Sequence, residues 1–215
     1  MAKSTGETMT SGDTTGCAVF LNGTSSSGKT TLARALQQRL PLPFLHVALD
    51  QFRDGLPDRY RGLNSPEGTS GAQGLNVVPD AASGITRIVF GEHGQRMLKG
   101  MRRAMATMVQ SGNNIIIDDI ILESAFLHDY LGVFDGLPLY FVGVRCPPHV
   151  IEEREAARPG RFPGTAMGHL EVCHAHDSYD IEVNTSTHDP ASCASQVITR
   201  MQQPPVAFDR LRANQ

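Results

Sequence analysis

Apolar residues along the chain fall into two kinds of pattern. Ala18-Val19-Phe20-Leu21, Asn114-Ile115-Ile116-Ile117 and Leu139 to Val144 are short runs apolar at nearly every position, as strands buried on both faces require. Between them the spacing changes to helical. Leu32, Leu36 and Leu40 are four apart, and Met97, Met101, Met105 and Met108 share one face of Glu92 to Gln110, a stripe that reads as core packing. Further strands are expected from Phe44 to Leu49, running into Asp50, and from Ile181 to Thr185. Helices are expected from about His149 to Arg158, where Pro159-Gly160 interrupts, and from about Thr165 to Asp177. Asp189-Pro190 pairs an N-cap with a first-turn proline and opens a last helix with Cys193, Val197 and Met201 inward.

Strands alternating with helices predict an α/β fold, a parallel sheet covered on both faces. From Arg61 to Gly84 the pattern gives way to Gly, Asn, Ser and Pro, which predicts a long irregular loop. Residues 1–16 read as a flexible N-terminal tail and 204–215 as a C-terminal tail, leaving 17–203 as the folded domain.

Length and charge narrow the classes. At 215 residues the chain suits one domain with a sizeable core, and the net charge of −3, scattered along the chain, offers no basic stripe for nucleic acid. The first 16 residues lack the apolar stretch of a secretory signal, and no apolar run approaches the roughly 20 residues of a membrane span. A cytosolic protein is expected, with Cys17, Cys146, Cys173 and Cys193 reduced. Cys173-His174-Ala175-His176, with His169 nearby, suggests a metal, but a structural zinc site needs a second ligand pair that the chain does not display; hydrogen-bonded or solvated side chains are the better reading.

The chemistry concentrates behind the first strand. Gly23-Thr24-Ser25-Ser26-Ser27-Gly28-Lys29-Thr30 fits GxxxxGK[ST], placed between an apolar strand and a helix, and Lys29 is one of only three lysines. In such a loop backbone N–H groups face phosphate oxygens, the lysine adds a point charge and the threonine hydroxyl holds Mg²⁺. Gly23 through Thr30, with Thr31, are therefore the expected contacts of a nucleoside triphosphate.

Ligands of open parallel sheets lie beyond the carboxyl ends of the strands, which directs attention to Asp50 and to Asp118-Asp119. Asp50 can serve as the base that takes the proton of an acceptor hydroxyl during phosphoryl transfer; it can also cap the turn after its strand or support the metal from behind. Asp118 stands where a Walker B carboxylate holds Mg²⁺, and Asp119 is expected to point to the acceptor or to a helix N-terminus, with either of the two able to face the metal. Arg154, Arg158 and Arg161 lie beside Pro159-Gly160 and Pro163-Gly164 in what reads as a lid over about residues 154–176, which can deliver positive charge to the transferred group. The competing reading pairs Arg154 and Arg158 with Glu152, Glu153 and Glu155 on a solvated helix. Between Asp50 and Arg87 the charges nearly cancel, which favours a neutral acceptor, while Arg53, Arg59 and Arg61 leave an anionic one open.

These residues together resemble the chloramphenicol phosphotransferase family of P-loop kinases. The likeness runs from about Ala18 to Gln196 and rests on Leu21-Asn22-Gly23 through Thr30, Ala48-Leu49-Asp50 with Leu56-Pro57, Ile115 to Asp119, Val142-Gly143-Val144-Arg145-Cys146, Glu153 to Arg158, and Tyr179 to Val183. It implies a three-layer P-loop kinase sandwich with a small arginine-bearing lid and an ATP- and Mg²⁺-dependent phosphotransferase acting on a hydroxyl of a small antibiotic. It also implies Asp50 as base and Arg154, Arg158 and Arg161 as lid residues near the transferred group. The chain departs from the family pattern in its arginine-rich Arg53 to Arg61 segment, the Gly-rich stretch after it and the proline-flanked Phe162, all of which bear on the acceptor. A kinase of an ordinary metabolite on the same scaffold is the alternative enzyme, and a nucleotide-dependent binding switch the alternative outside enzymology.

Overall fold

A computed structural model of the chain describes residues 15–160, 162–170, 172–176 and 178–214. The elements run β1 (Ala18–Asn22), α1 (Lys29–Arg39), β2 (Phe44–Ala48), α2 (Leu49–Asp54), a 3-10 turn (Asp58–Tyr60), β3 (Arg61–Leu63), α3 (Ser70–Gln73), β4 (Leu75–Asp80), β5 (Ile85–Phe90) and α4 (Glu92–Gln110). They continue as β6 (Asn114–Asp119), α5 (Ser124–Val133), β7 (Leu139–Arg145), α6 (Pro148–Ala156), α7 (Thr165–Leu170), β8 (Ile181–Asn184), α8 (Pro190–Arg200) and α9 (Ala207–Ala213).

Five strands form a parallel sheet in the order β2-β6-β1-β7-β8. The apolar runs fill both of its faces, as their composition demands. Ala18 and Phe20 of β1, with Ile115 and Ile117 of β6, join Met101, Met105, Phe126, Tyr130 and Phe208 on one side. Val19, Leu21 and Ile116 join Leu32, Leu36, Cys193 and Val197 of α1 and α8 on the other. The methionine stripe is core packing, with Met101 and Met105 fully enclosed and Met97 and Met108 at the margin. At α8, Asp189 accepts hydrogen bonds from the Ala191 and Ser192 amides, the cap its position announces.

Several expectations are corrected. The stretch Arg61 to Gly84 is not an irregular loop: β3, β4 and β5 make a second, three-stranded sheet, β3 parallel and β5 antiparallel to β4. Three of its glycines, Gly62, Gly71 and Gly74, serve close approach rather than looseness: a Cβ on Gly74 would run into the Tyr60 carbonyl and one on Gly62 into the Ser65 hydroxyl. Asn76 fastens the turn by accepting from the Ser65 amide and donating to the Ser65 carbonyl, both at 3.1 Å.

The helix expected to Asp177 ends at Leu170, and α5 adds a helix not marked out by the sequence pattern. The C-terminal tail docks on the domain. Its helix α9 buries Ala207 and Phe208, and Asp180 holds its entrance by accepting from the Val206 and Ala207 amides and from Arg200. At the other end, residues 1–14 of the expected tail lie outside the described residues, while the Gly16 amide donates to the Val109 carbonyl at 2.9 Å. Among the described residues no helix is long and apolar enough to cross a membrane, and the four cysteines are free thiols.

Candidate active site

Strand register gathers the chemistry at one edge. Leu21 of β1 and Ala48 of β2 both lie opposite Asp118 of β6, so the loop after β1, the start of α2 and the end of β6 are level at the carboxyl edge of the sheet. The loop from Gly23 to Gly28 turns through two left-handed residues, Ser26 (φ 61°) and Gly28 (φ 95°), and the latter is the N-cap of α1. Gly28 therefore meets a conformational need, and Gly23 a steric one: a Cβ there would press on the Val144 carbonyl at 2.5 Å.

The Lys29 ammonium folds into this loop, donating to the carbonyls of Gly23 (2.8 Å) and Thr24 (3.0 Å), with Asp118 Oδ1 at 3.9 Å. Thr30 donates its hydroxyl proton to Asp118 Oδ2 at 2.7 Å, and His46 of β2 donates from Nε2 to the same oxygen at 3.3 Å. Among the described residues the buried Ser26 hydroxyl, which lines the cavity, has no hydrogen-bond partner. Glycine cradle, helix N-terminus, lysine and the Thr30–Asp118 pair fit the phosphates of a nucleotide and the Mg²⁺ that accompanies them.

Neighbouring carboxylates at the end of β6 have opposite fates. Asp118 lies on the α1 side. Burial pushes its carboxyl up, but the hydrogen bond from His46, the Lys29 charge and the Thr30 hydroxyl together outweigh that and hold it below its ordinary 3.8. Asp119 also borders the cavity, but its carboxyl group turns to the opposite face, to a tyrosine hydroxyl and the following amide rather than to a helix N-terminus. It accepts from the Tyr130 hydroxyl at 2.6 Å and from the Ile120 amide at 2.7 Å, and burial raises its pKa. Arg102 of α4 lies behind this pair, enclosed over the Phe126 ring (4.5 Å) and ion-paired to Asp129 at 3.0 Å. Of the two candidates for the metal, Asp118 is the one that stands beside Thr30.

One cavity of about 840 Å³ is lined by Lys29, Thr30, His46, Asp50, Asp118, Arg154 and Arg158, among others. Asp50 lies in the first turn of α2 rather than on the strand itself. Its side chain is 49% exposed and its Oδ1 accepts from Arg53 Nη1 at 2.7 Å. Arg154 donates to Thr185 Oγ1 (3.0 Å) and to the Thr185 carbonyl (2.9 Å), and Thr185 Oγ1 donates to the Ser27 carbonyl at 2.6 Å. Helix α6 is thereby tied to the loop after β1. Arg158 is exposed at the end of α6, and Arg161 lies outside the described residues.

Glu155 is not the surface partner of these arginines that helix spacing suggests. It is buried and accepts from the Gly164 and Ala166 amides, both at 2.8 Å, fixing the start of α7. The α7 segment is held further by Thr24, which donates to the Ala166 carbonyl, and by Thr86 of β5, which donates to the Pro163 carbonyl at 2.6 Å. The Cys173 to His176 segment has structural duties: the Cys173 carbonyl accepts from Asn22 Nδ2 at 2.6 Å, and His176 stacks on Phe141. Among the described residues no group of three or more His, Cys, Asp or Glu could hold a metal ion.

Comparison with known proteins agrees with this geometry. The profile of the family described as "Chloramphenicol phosphotransferase-like protein" matches residues 16–202. A protein of Mycobacterium tuberculosis, found in two strains and named provisionally as an O-phosphotransferase, is 30% identical over 206 residues, 90% of this chain and 87% of its own. Among solved structures, a sugar kinase from Janibacter superposes with a TM-score of 0.59 at 20% identity, over 87% of this chain and 95% of its own. The APS kinase of Mycobacterium tuberculosis gives 0.60 at 15% identity, over 88% and 99%. At that identity the two structures speak for the P-loop kinase fold alone.

Proposed function

Since the chain belongs to the family of chloramphenicol phosphotransferase-like proteins, we propose that it is a kinase that moves the terminal phosphoryl group of ATP to a hydroxyl of a small, uncharged organic acceptor. One observation carries this reading: across a single cavity, the Lys29 and Thr30–Asp118 end of the phosphate loop faces the carboxylate of Asp50.

In this reading the amides of Gly23 to Thr31 and the N-terminus of α1 bind the phosphate oxygens, and Lys29 exchanges its two loop carbonyls for them. Thr30 and Asp118 would hold Mg²⁺, which when bound neutralises charge on the phosphates. Arg53 steadies Asp50 through Oδ1, and the Asp50 carboxylate takes the proton of the acceptor hydroxyl. The acceptor oxygen forms its bond to the terminal phosphorus as the bond to the bridging oxygen of ADP breaks. Arg154 and Arg158 supply positive charge beside the transferred group, and Arg161 is proposed to join them.

An uncharged acceptor is supported by the pairing of the arginines next to Asp50. Arg53 is held by Asp50 and Asp54, and Arg61 by Asp54 and Asp58, so that segment presents no concentrated cationic clamp. A chloramphenicol-like antibiotic alcohol is the acceptor we favour on the family membership.

Labelled ATP offered with chloramphenicol-type alcohols, nucleosides and sugar acids tests the proposal. Label on a chloramphenicol-type alcohol, lost in Asp50→Asn, is the expected result. Label on a sugar acid or nucleoside instead would make this a metabolite kinase, and nucleotide binding with no transfer to any acceptor would leave only a binding switch.

A further inference from the structure

We infer that His46 is a positioning residue for the cation site, acting through Asp118 on the hydroxyl of Thr30; the inference rests on the kinase reading above. Asp118 Oδ2 receives two donors, Thr30 Oγ1 at 2.7 Å and His46 Nε2 at 3.3 Å. An ionised carboxylate only accepts, so the proton between His46 and Asp118 belongs to Nε2. With its own proton committed to Asp118, the Thr30 hydroxyl is left with its oxygen lone pairs for a cation. The orientation of that hydroxyl thus depends on where Oδ2 is held, and His46, from the neighbouring strand β2, is the second group that holds it.

The placement of His46 argues for this use. It sits in β2, in register with Ile116 and on a strand whose other inward residues, Phe44 and Val47, are buried and apolar. A polar ring there meets a polar group only where it reaches the cavity, and the group it meets is the carboxylate beside Thr30. The His46 side chain is 21% exposed, so the ring borders the cavity rather than filling the core. Partners that orient a metal-binding group from behind contribute about 10- to 100-fold in cation affinity in other proteins.

The test measures Mn²⁺ affinity by electron paramagnetic resonance on the full chain with a non-hydrolysable ATP analogue bound, alongside metal-free nucleotide affinity. In His46→Phe, Mn²⁺ should bind about 10-fold or more weakly, while metal-free nucleotide affinity stays near wild type. His46→Gln, whose amide N–H can still reach Oδ2, should recover most of the loss. Mn²⁺ affinity in His46→Phe equal to wild type overturns the inference, and so does an equal loss in both variants. If His46→Phe does not fold, His46→Ala supplies the same comparison. Wild-type protein that binds neither nucleotide nor Mn²⁺–nucleotide would instead sink the kinase reading, so the two failures are distinct.

Discussion

The two sides of the cavity are built differently. On the proposed nucleotide side the charged groups are enclosed and bonded: Lys29 is 11% exposed within its loop, Asp118 9%, and Thr24 and Thr185 tie the loop to α7 and α6. On the proposed acceptor side Asp50 is half exposed in a six-residue helix with no buried residue, and it pairs with Arg53 three positions away. A phosphate is the same in every catalytic cycle, so its cradle can be rigid and finished. The proposed acceptor side would be completed by the molecule that enters it. The contrast predicts that polar substitutions on the nucleotide side move stability and activity together, whereas those beside Asp50 move activity alone.

The largest effect should come from Lys29→Ala, which removes the only lysine at the cavity among the described residues and should lower phosphoryl transfer by about a thousandfold or more in a steady-state assay. Retention of wild-type kcat would break the nucleotide-side assignment. Asp50→Asn comes next. Its kcat should fall at least about a hundredfold, with ATP affinity and melting temperature unchanged. A fall in melting temperature of the same order as in core variants would erase the contrast, since it would make Asp50 part of the packing.

Glu155→Ala probes the nucleotide side as structure. It strands the Gly164 and Ala166 amides and should cost about 2 kcal/mol in urea unfolding. Glu155→Gln, which keeps one acceptor oxygen, should lose less. An unfolding free energy unchanged by the alanine would mean that α7 is held by its other contacts alone.

The smallest effect separates the two adjacent carboxylates. Asp118 is held below 3.8, so what it contributes to stability is present above that value and is lost as pH falls through its folded pKa. Asp119 is raised above 3.8, so its contribution is full below that value and is lost as pH rises through its folded pKa. The melting temperature of Asp119→Asn should therefore gain on wild type from acid to neutral pH, and that of Asp118→Asn should lose. Parallel trends in the two variants would contradict the opposed orientation of the pair.

Much of the fold was legible because its signals are local. The apolar runs of β1, β6 and β7, the helix Glu92 to Gln110 and the Asp189 cap each carry their own explanation within a few residues. The second sheet was not, because Gly62, Gly71 and Gly74 look like loop residues until the chain segments they let together are known. Glu155 shows the same limit: helix spacing points it at its arginine neighbours, but the amides it caps belong to residues nine and eleven positions away.

By itself the sequence determined the nucleotide cradle and the alternation of strand and helix, because a left-handed glycine, a lysine and a buried strand are specified by residues that touch along the chain. Tertiary structure alone decided which of Asp118 and Asp119 bonds to Thr30, and that His46 bonds to the same one. Both follow from strand register and from the side of the sheet that α1 covers, and register is fixed by packing between residues far apart in sequence.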